Sequence, residues 1–192
     1  MALILASGSP RRRELMSLIT PDYTVITSDV DETKIAADSP AHLAKALATA
    51  KARAVAEEHP DDIVCGFDTV VECEGEVFGK PKDEAEAKDM LRRLSGRTHQ
   101  VITGVTLVTA GKKKTFATVS EVTFDELSDE EIAYYVAHYR PLDKAGAYGI
   151  QEWIGYAAIE RIDGSFFNVM GLPIQRVYTE LNQFIQSIKN NP

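Results

Sequence analysis

The segment Ala2-Leu3-Ile4-Leu5-Ala6-Ser7-Gly8-Ser9-Pro10-Arg11-Arg12-Arg13-Glu14-Leu15 sets the reading of the whole chain. Its short apolar run has the length of a buried strand. Ser7-Gly8-Ser9-Pro10 then supplies turn chemistry. The three arginines open a segment whose apolar residues, Leu15, Met16, Leu18 and Ile19, fall at helical spacing. Two hydroxyls, a glycine and the N–H groups of a new helix form a cradle for an anion. The arginine guanidinium adds a planar fork that pairs with phosphate oxygens at two points. Cations at a helix N-terminus oppose the macrodipole, so three of them in this place imply an anionic ligand.

Outward from this stretch, strand and helix signals alternate. Residues 2–6 read as a strand, 10–19 as a helix and 23–28 as a strand. Residues 40–58 read as an Ala-rich helix with Ser39 as N-cap and Pro40 at its first position. Residues 62–67 read as a buried strand that continues over 69–73, and Glu74-Gly75 as a turn. Residues 83–94 read as a helix capped by Asp83 and ended near Gly96. In the second half, 98–109 and 114–125 resemble a hairpin closed around Ala110-Gly111. Ser128 and Glu131 make a capping box for a helix over 128–138. Residues 156–162 read as a strand and 172–188 as a final helix. No repeat, low-complexity tract or linker interrupts the order, so the chain reads as one domain, 1–192. The expected class is α/β or α+β, with a mixed sheet rather than a fully parallel one.

Several charges sit against this pattern. Leu43, Leu47 and Lys51 occupy successive i+4 positions, which puts Lys51 on an apolar stripe. Two placements fit: a lysine snorkelling at the helix edge, or one aimed into a cleft to meet an anion. Asp68 follows Ile63-Val64-Cys65-Gly66-Phe67 at a strand's C-terminal end, where open α/β sheets place ligands; the position also suits a carboxylate capping the next turn. Gly66 leaves room for a close backbone or ligand. Lys80 precedes Pro81, which fixes the backbone after it. Glu32 ends the acidic run Asp29-Val30-Asp31-Glu32, a solvated loop by itself and a holder of hydrated magnesium when arginines lie near. Lys144 to Gln151 packs small residues around Tyr148, as a wall for a planar ligand would, and Gln151 offers a donor and an acceptor together. Gly164 to Pro173 is a glycine-flanked loop before the last helix.

Composition narrows the function further. The 192 residues carry a net charge of −8, which argues against a nucleic-acid binder, whose footprint is basic, yet leaves room for a nucleotide site served by a few local cations. No apolar run approaches the ~20 residues of a membrane-spanning helix. The N-terminal apolar run is short and ends in a polar turn, unlike a signal peptide, so a cytoplasmic location is expected. Cys65 and Cys73 are then reduced and packed. His42, His59, His99 and His138 lack metal-ligand spacing, which argues against zinc. The interval from Gly104 to Gly111-Lys112 is too long for a P-loop, with no Ser or Thr after the lysine. The dinucleotide fingerprint and the nucleophile elbow are both absent.

Taken together, the segments are more specific. Ser7-Gly8-Ser9-Pro10-Arg11-Arg12 resembles the Ser-x-Ser-x-Arg-Arg signature of the Maf family of nucleoside triphosphate pyrophosphatases. The resemblance runs on in order through Asp31-Glu32, Lys51-Ala52, Gly66-Phe67-Asp68-Thr69-Val70, Gly79-Lys80-Pro81, Ser95-Gly96 to Thr103-Gly104, Lys144 to Gln151, and Gly164-Ser165 to Gly171-Leu172-Pro173. It implies a two-lobed α/β fold related to the inosine triphosphate pyrophosphatases: a twisted mixed sheet with flanking helices, and the site in a cleft between lobes. It implies hydrolysis of a nucleoside triphosphate to the monophosphate and pyrophosphate with a divalent cation, Mg2+ or Mn2+. The Gly146-Ala147-Tyr148-Gly149-Ile150-Gln151 form resembles the branch acting on dTTP and UTP, with Arg12, Thr69 and Gln151 as specificity residues. In that frame Ser7, Ser9, Arg11, Arg12, Lys51 and Lys80 serve the phosphates, Glu32 and Asp68 hold the metal, and Asp68 is the candidate base. The resemblance also implies a homodimer; from the charge and the short apolar runs, no nucleic-acid or membrane partner is expected. Phe67 departs from the family, which often has alanine there. A rival reading is a nucleotide-binding regulator of cell division whose hydrolysis is slow or incidental. The same cradle would serve it, but a mere binder gains nothing from Asp68 and Glu32 facing a polyanion without metal.

Overall fold

The opening run folds as strand β1 (Leu3–Ala6) followed by helix α1 (Pro10–Ser17), with Ser9 as N-cap and Pro10 at the first helical position. The computed structural model describes residues 1–190; the last two residues of the expected 1–192 domain lie outside them. After α1 come β2 (Thr24–Val25), a 3-10 turn (Glu32–Lys34), α2 (Pro40–Ala56), β3 (Ile63–Cys73) and β4 (Glu76–Phe78). Then follow α3 (Glu84–Leu94), β5 (Thr98–Thr109), β6 (Lys112–Phe124), α4 (Asp129–Tyr139), a second 3-10 turn (Ala145–Ala147), α5 (Trp153–Ala157), β7 (Ile159–Asp163), α6 (Phe166–Met170) and α7 (Ile174–Lys189). The caps read from sequence are in place. Ser39 accepts from the His42 N–H, Asp83 from that of Glu86, and Ser128 and Glu131 close a full capping box.

The strands pair in the order β2-β1-β3-β5-β6-β7, with β4 also on β3. β1 runs parallel to both β2 and β3, whereas β3–β4 and β6–β7 are antiparallel. The sheet is therefore mixed, as expected, and helices flank it. The stretch from Gly164 to Pro173, expected as a loop, contains helix α6, and β4 has no counterpart in the sequence reading; two expected strands also differ. The strand over 23–28 shrinks to Thr24–Val25. The strand over 156–162 is displaced to β7 by helix α5, in which Gly155 lies directly on the preceding loop: a Cβ placed on it would stand 1.7 Å from the Ile150 carbonyl oxygen. A five-residue helix is too short to leave a periodic signature. Among the described residues, no helix is long and apolar enough to cross a membrane.

The chain divides into two compact units. Unit 1 comprises Met1–Asp68, Thr103–Thr118 and the described residues from Gly171; unit 2 comprises Thr69–Ile102 and Val119–Met170. In unit 1, Ala52 and Val55 of α2 pack against Ile4, Ala6 and Val64. This contact is unusually close because two strand positions lack side chains. A Cβ on Gly66 would lie 2.3 Å from the Ala48 carbonyl oxygen, and one on Gly104 would lie 2.2 Å from that of Ala44. The space that sequence allotted to Gly66 is thus taken by the backbone of α2. In unit 2, α3 packs on α4, and the core includes Phe78, Leu91, Leu94, Phe124, Ile132 and Tyr135. His99 is buried there, 2.7 Å from the Tyr148 hydroxyl through Nε2 and edge-on to Phe124. Cys65 and Cys73 are buried free thiols, and burial pushes Cys65 up to about 12.

Two stability predictions follow from this packing. Gly66→Ala forces a methyl into backbone rather than into a yielding side chain, and overpacking of this kind costs about 1–3 kcal/mol or more. Urea denaturation should register that loss. For His99, burial lowers the imidazole to about 4 from 6.5. Above pH 6.5 the ring is neutral folded or unfolded. As pH falls from 6.5 toward 4, the unfolded chain takes up a proton that the folded chain refuses. Stability should therefore drop by roughly 3 kcal/mol across that window. Denaturation midpoints at pH 7, 5.5 and 4.5 should show a steeper fall in wild type than in His99→Gln; parallel curves would remove His99 as the cause.

Candidate active site

Ser7 opens the turn after β1, and its Oγ accepts from the Ser9 N–H at 3.3 Å. Ser9 Oγ is the N-cap acceptor for the Arg12 N–H at 3.5 Å. The two hydroxyls thus build the cradle as well as line it. Arg12 turns its guanidinium back over the turn. Nε donates to the Gly171 carbonyl at 2.9 Å, and one terminal nitrogen donates to the Phe67 carbonyl at 3.2 Å and to Ser7 Oγ at 3.4 Å. Burial pulls this guanidinium below its ordinary value, the Asp68 carboxylate opposes that shift, Arg11 adds to it and Glu32 opposes it. Arg11, Arg12, Asp68 and Glu32 therefore share one electrostatic neighbourhood in unit 1.

Lys51 completes it. Its ammonium donates to Asp68 Oδ1 at 2.6 Å and pairs with Glu32 Oε1 at 2.9 Å. The side chain is 15% exposed, so Lys51 does not snorkel. It points inward, as the apolar stripe allowed, and its partners are carboxylates. Asp68 is buried within β3, five residues before the strand ends. It does not cap a turn. Lys51 engages it through Oδ1. Glu32 opens the first 3-10 turn, which Asp31 caps by accepting from the Thr33 N–H and hydroxyl. The acidic run is thereby divided: Asp31 shapes the turn, and Glu32 reaches Lys51.

Two carboxylates already gathered on one cation bear on a divalent metal. Both are hard oxygen donors and can serve one ion together. Among the described residues, no cluster of three or more His, Cys, Asp or Glu side chains forms a protein-only metal cage. A two-carboxylate set that leaves positions for water and phosphate oxygens is what Mg2+ commonly uses, so the residues fit.

Unit 2 carries Thr69, Lys80 and Gln151. Thr69 is half-buried on β3, next to Asp68 in sequence, while Lys80 and Gln151 are exposed. Lys80 follows Gly79, whose carbonyl accepts from the Gly146 N–H at 3.1 Å, tying its loop to the second 3-10 turn. Gly146 in turn rests on Val71 of β3: a Cβ there would be 3.0 Å from a Val71 methyl. The three residues thus hang on one local framework. Sequence reasoning missed what holds the Gln151 segment. Tyr135 of α4 donates to Glu152 and accepts from the Gly149 N–H, and Lys144 pairs with Glu152 at 3.2 Å and with Asp143 at 2.8 Å. A separate surface cavity of about 780 Å³ in unit 1, lined by Met1, Ile19, Tyr23 and Leu181, holds none of these residues. Its lining includes Asp22 and no lysine or arginine, a poor match for a polyphosphate.

The Lys51 bridge makes a direct prediction. Lys51→Met leaves two neighbouring carboxylates without their shared cation, and should destabilise the ligand-free fold by about 1–3 kcal/mol, since removing one partner of a buried pair strands the other. Adding Asp68→Asn should restore part of that loss. A double-mutant cycle on urea unfolding reads the coupling directly; strictly additive effects would mean that the two side chains do not interact in solution.

Known proteins resemble this chain over nearly its whole length. The family model described as "Maf-like protein" matches residues 2–184. A protein of Phocaeicola vulgatus named "dTTP/UTP pyrophosphatase" is 50% identical over 186 residues, covering 94% of this chain and 95% of its own. A protein of Bacillus cytotoxicus with the same name is 52% identical over 181 residues, covering 94% of each chain. Among solved structures, the Staphylococcus aureus Ham1 protein aligns with a TM-score of 0.55 at 19% identity over 94% of this chain and 98% of its own. A HAM1 protein from Coxiella burnetii aligns at 0.53 and 16% identity, with the same coverage. These two show a shared fold alone. With the signature from Ser7 to Arg12, the Lys51–Asp68 pair and a family match over nearly its whole length, the chain belongs to the Maf family.

Proposed function

We propose that this protein hydrolyses dTTP and UTP to the nucleoside monophosphate and pyrophosphate. The observation that carries the reading is the bridge of Lys51 to Asp68 and Glu32 within the neighbourhood of Arg11 and Arg12. It gathers cations for a polyanion and, in the same place, carboxylates that a simple anion binder would exclude. The relatives' printed names give the same activity.

The reaction needs three things: a neutralised polyphosphate, a water aligned with the α phosphorus, and a leaving pyrophosphate whose charge is held. Ser7, Ser9 and the N–H groups that open α1 offer donors to phosphate oxygens. Arg11, Arg12, Lys51 and Lys80 offer positive charge. Asp68 and Glu32 would hold a divalent cation, Mg2+ or Mn2+, which when bound neutralises phosphate charge and acidifies water. Lys51 fixes Asp68 by Oδ1 and leaves Oδ2 to take a proton. The water oxygen bonds to the α phosphorus as Asp68 accepts the water's proton. The bond from that phosphorus to the α–β bridging oxygen breaks, and its electron pair leaves with pyrophosphate. Gln151 reads the base, with Thr69 and Arg12 contributing to the choice. Its carbonyl and amide complement the N3–H and O4 edge of uracil and thymine; cytosine shows the inverse pattern.

The test is product analysis with Mg2+ or Mn2+. Wild type should release pyrophosphate and the monophosphate from dTTP and UTP. Asp68→Asn, which keeps shape but loses the base, should slow turnover by about 100-fold or more while the protein stays folded. Release of single orthophosphate would place the cut at another bond and overturn the reading, and near-normal turnover by Asp68→Asn would remove Asp68 as base.

A further inference from the structure

Gln151 is the exposed member of a four-residue turn whose other members are held inside unit 2. Gly149 and Ile150 are buried and Glu152 is half-buried. The Glu152 N–H closes the turn on the Gly149 carbonyl at 3.0 Å. The Gly149 N–H donates to the Tyr135 hydroxyl at 2.9 Å, and that hydroxyl donates to the Glu152 carboxylate. The other carboxylate oxygen pairs with Lys144, whose side chain is 9% exposed. Tyr135 therefore ties both ends of the turn at one point, and Lys144 holds its last residue from below.

The packing leaves this arrangement little freedom. A Cβ on Gly149 would stand 2.9 Å from the Glu152 carboxyl carbon and 3.0 Å from the Lys144 side chain, so the glycine is what lets the ion pair cross beneath the turn. Ile150 fills the core behind it, 4% exposed, and the Gly155 backbone lies against the Ile150 carbonyl. Tyr148, one residue before the turn, is held by His99 at 2.7 Å.

A glutamine that must distinguish uracil from cytosine has a difficulty that this network addresses. Its amide presents either pattern when rotated. Selectivity therefore requires neighbours that fix the amide's orientation, and a backbone that holds the amide against those neighbours and the base edge at the same time. We propose that Tyr135 and Glu152, with Lys144, are positioning residues for base selection: they lock the turn from Gly149 to Glu152 so that Gln151 meets the pyrimidine edge in one register. This rests on the pyrimidine triphosphate reading above. None of the three needs to touch the substrate.

The test is a cycle between Tyr135→Phe and Gln151→Ala, read as the ratio of kcat/KM for UTP over CTP. Tyr135→Phe removes one buried hydroxyl and keeps the ring. It should lower the ratio about tenfold or more, through a higher KM for UTP, with kcat for UTP changed by less than about threefold, because the groups serving the phosphates are unaltered. In the Gln151→Ala background the same substitution should change the ratio no further, since its effect passes through Gln151. Glu152→Gln, which still accepts from Tyr135 but loses the charge for Lys144, should fall between wild type and Tyr135→Phe. An unchanged ratio in Tyr135→Phe, or a full further drop in the Gln151→Ala background, would overturn the inference and leave the pyrophosphatase reading intact. Absence of pyrophosphate release by wild type would instead overturn that reading, and the inference with it. Amide exchange at Gly149 and Gln151 supplies a readout without nucleotide: Tyr135→Phe should speed it, and unchanged protection would show that the turn is held by other means.

Discussion

The close approach of α2 to the sheet is the constraint from which the unit 1 site is built. Gly66 and Gly104 remove the side chains that would hold the helix away, and the carbonyls of Ala44 and Ala48 fill the space. At an ordinary helix–sheet distance, a lysine on the inner face would have room to curl toward water. Here Ala52 is wholly buried against the sheet. Lys51, one residue earlier, sits at the edge of that contact, and Asp68 lies two residues beyond Gly66 on β3. The register that brings the Ala48 carbonyl over Gly66 thereby brings Lys51 Nζ to Asp68. An interaction that looks purely electrostatic is set by a steric condition on two glycines.

That origin explains how a partly buried ion cluster persists. Desolvation penalises Lys51 and Asp68 alike, and Coulombic attraction offsets it only with good geometry. The geometry is imposed by backbone contact rather than by long flexible side chains finding each other. Glu32 contributes from a short turn that has its own cap in Asp31, so it too arrives with its backbone already fixed. Lys51 and the two carboxylates are held by elements that owe their positions to packing, with Asp68 buried and Glu32 meeting Lys51 from the exposed side.

Much of this was legible in the sequence, and the limits have physical causes. The strand–turn–helix at the start was readable because Ser, Gly, Pro and Arg each carry a distinct local preference, and the caps at Ser39, Asp83 and Ser128 were readable for the same reason. Lys51 was visible as an anomaly on an apolar stripe, but helical spacing fixes only the face, not the partner, so snorkelling and burial stayed equal until the sheet beneath was known. Gly66 read as a place of close approach without indicating what approached. The short helices α5 and α6 left no periodic trace. Tyr135 drew no reading of its own within the helix over 128–138, and its link to Glu152 spans 17 residues, a separation at which local pattern carries no information.

The two units fix their polar groups by different physics, and the difference matters for what each can do. In unit 1 a shared cation holds carboxylates whose charge would otherwise repel, an arrangement that a phosphate or a metal ion can perturb because all of them act through the same Coulombic field. In unit 2 the Gly149 turn is held by directional bonds through a buried phenol, whose proton is retained because burial first, and the Glu152 carboxylate second, push its ionisation upward. A hydroxyl that accepts from one end of a turn and donates to the other defines position in a way that apolar packing, which responds to shape alone, does not. Replacing buried ion pairs by apolar groups is often neutral or stabilising, so stability is a weak reason for Lys144 and Glu152 to lie under this turn. Positional definition of the residue they carry is a sufficient one.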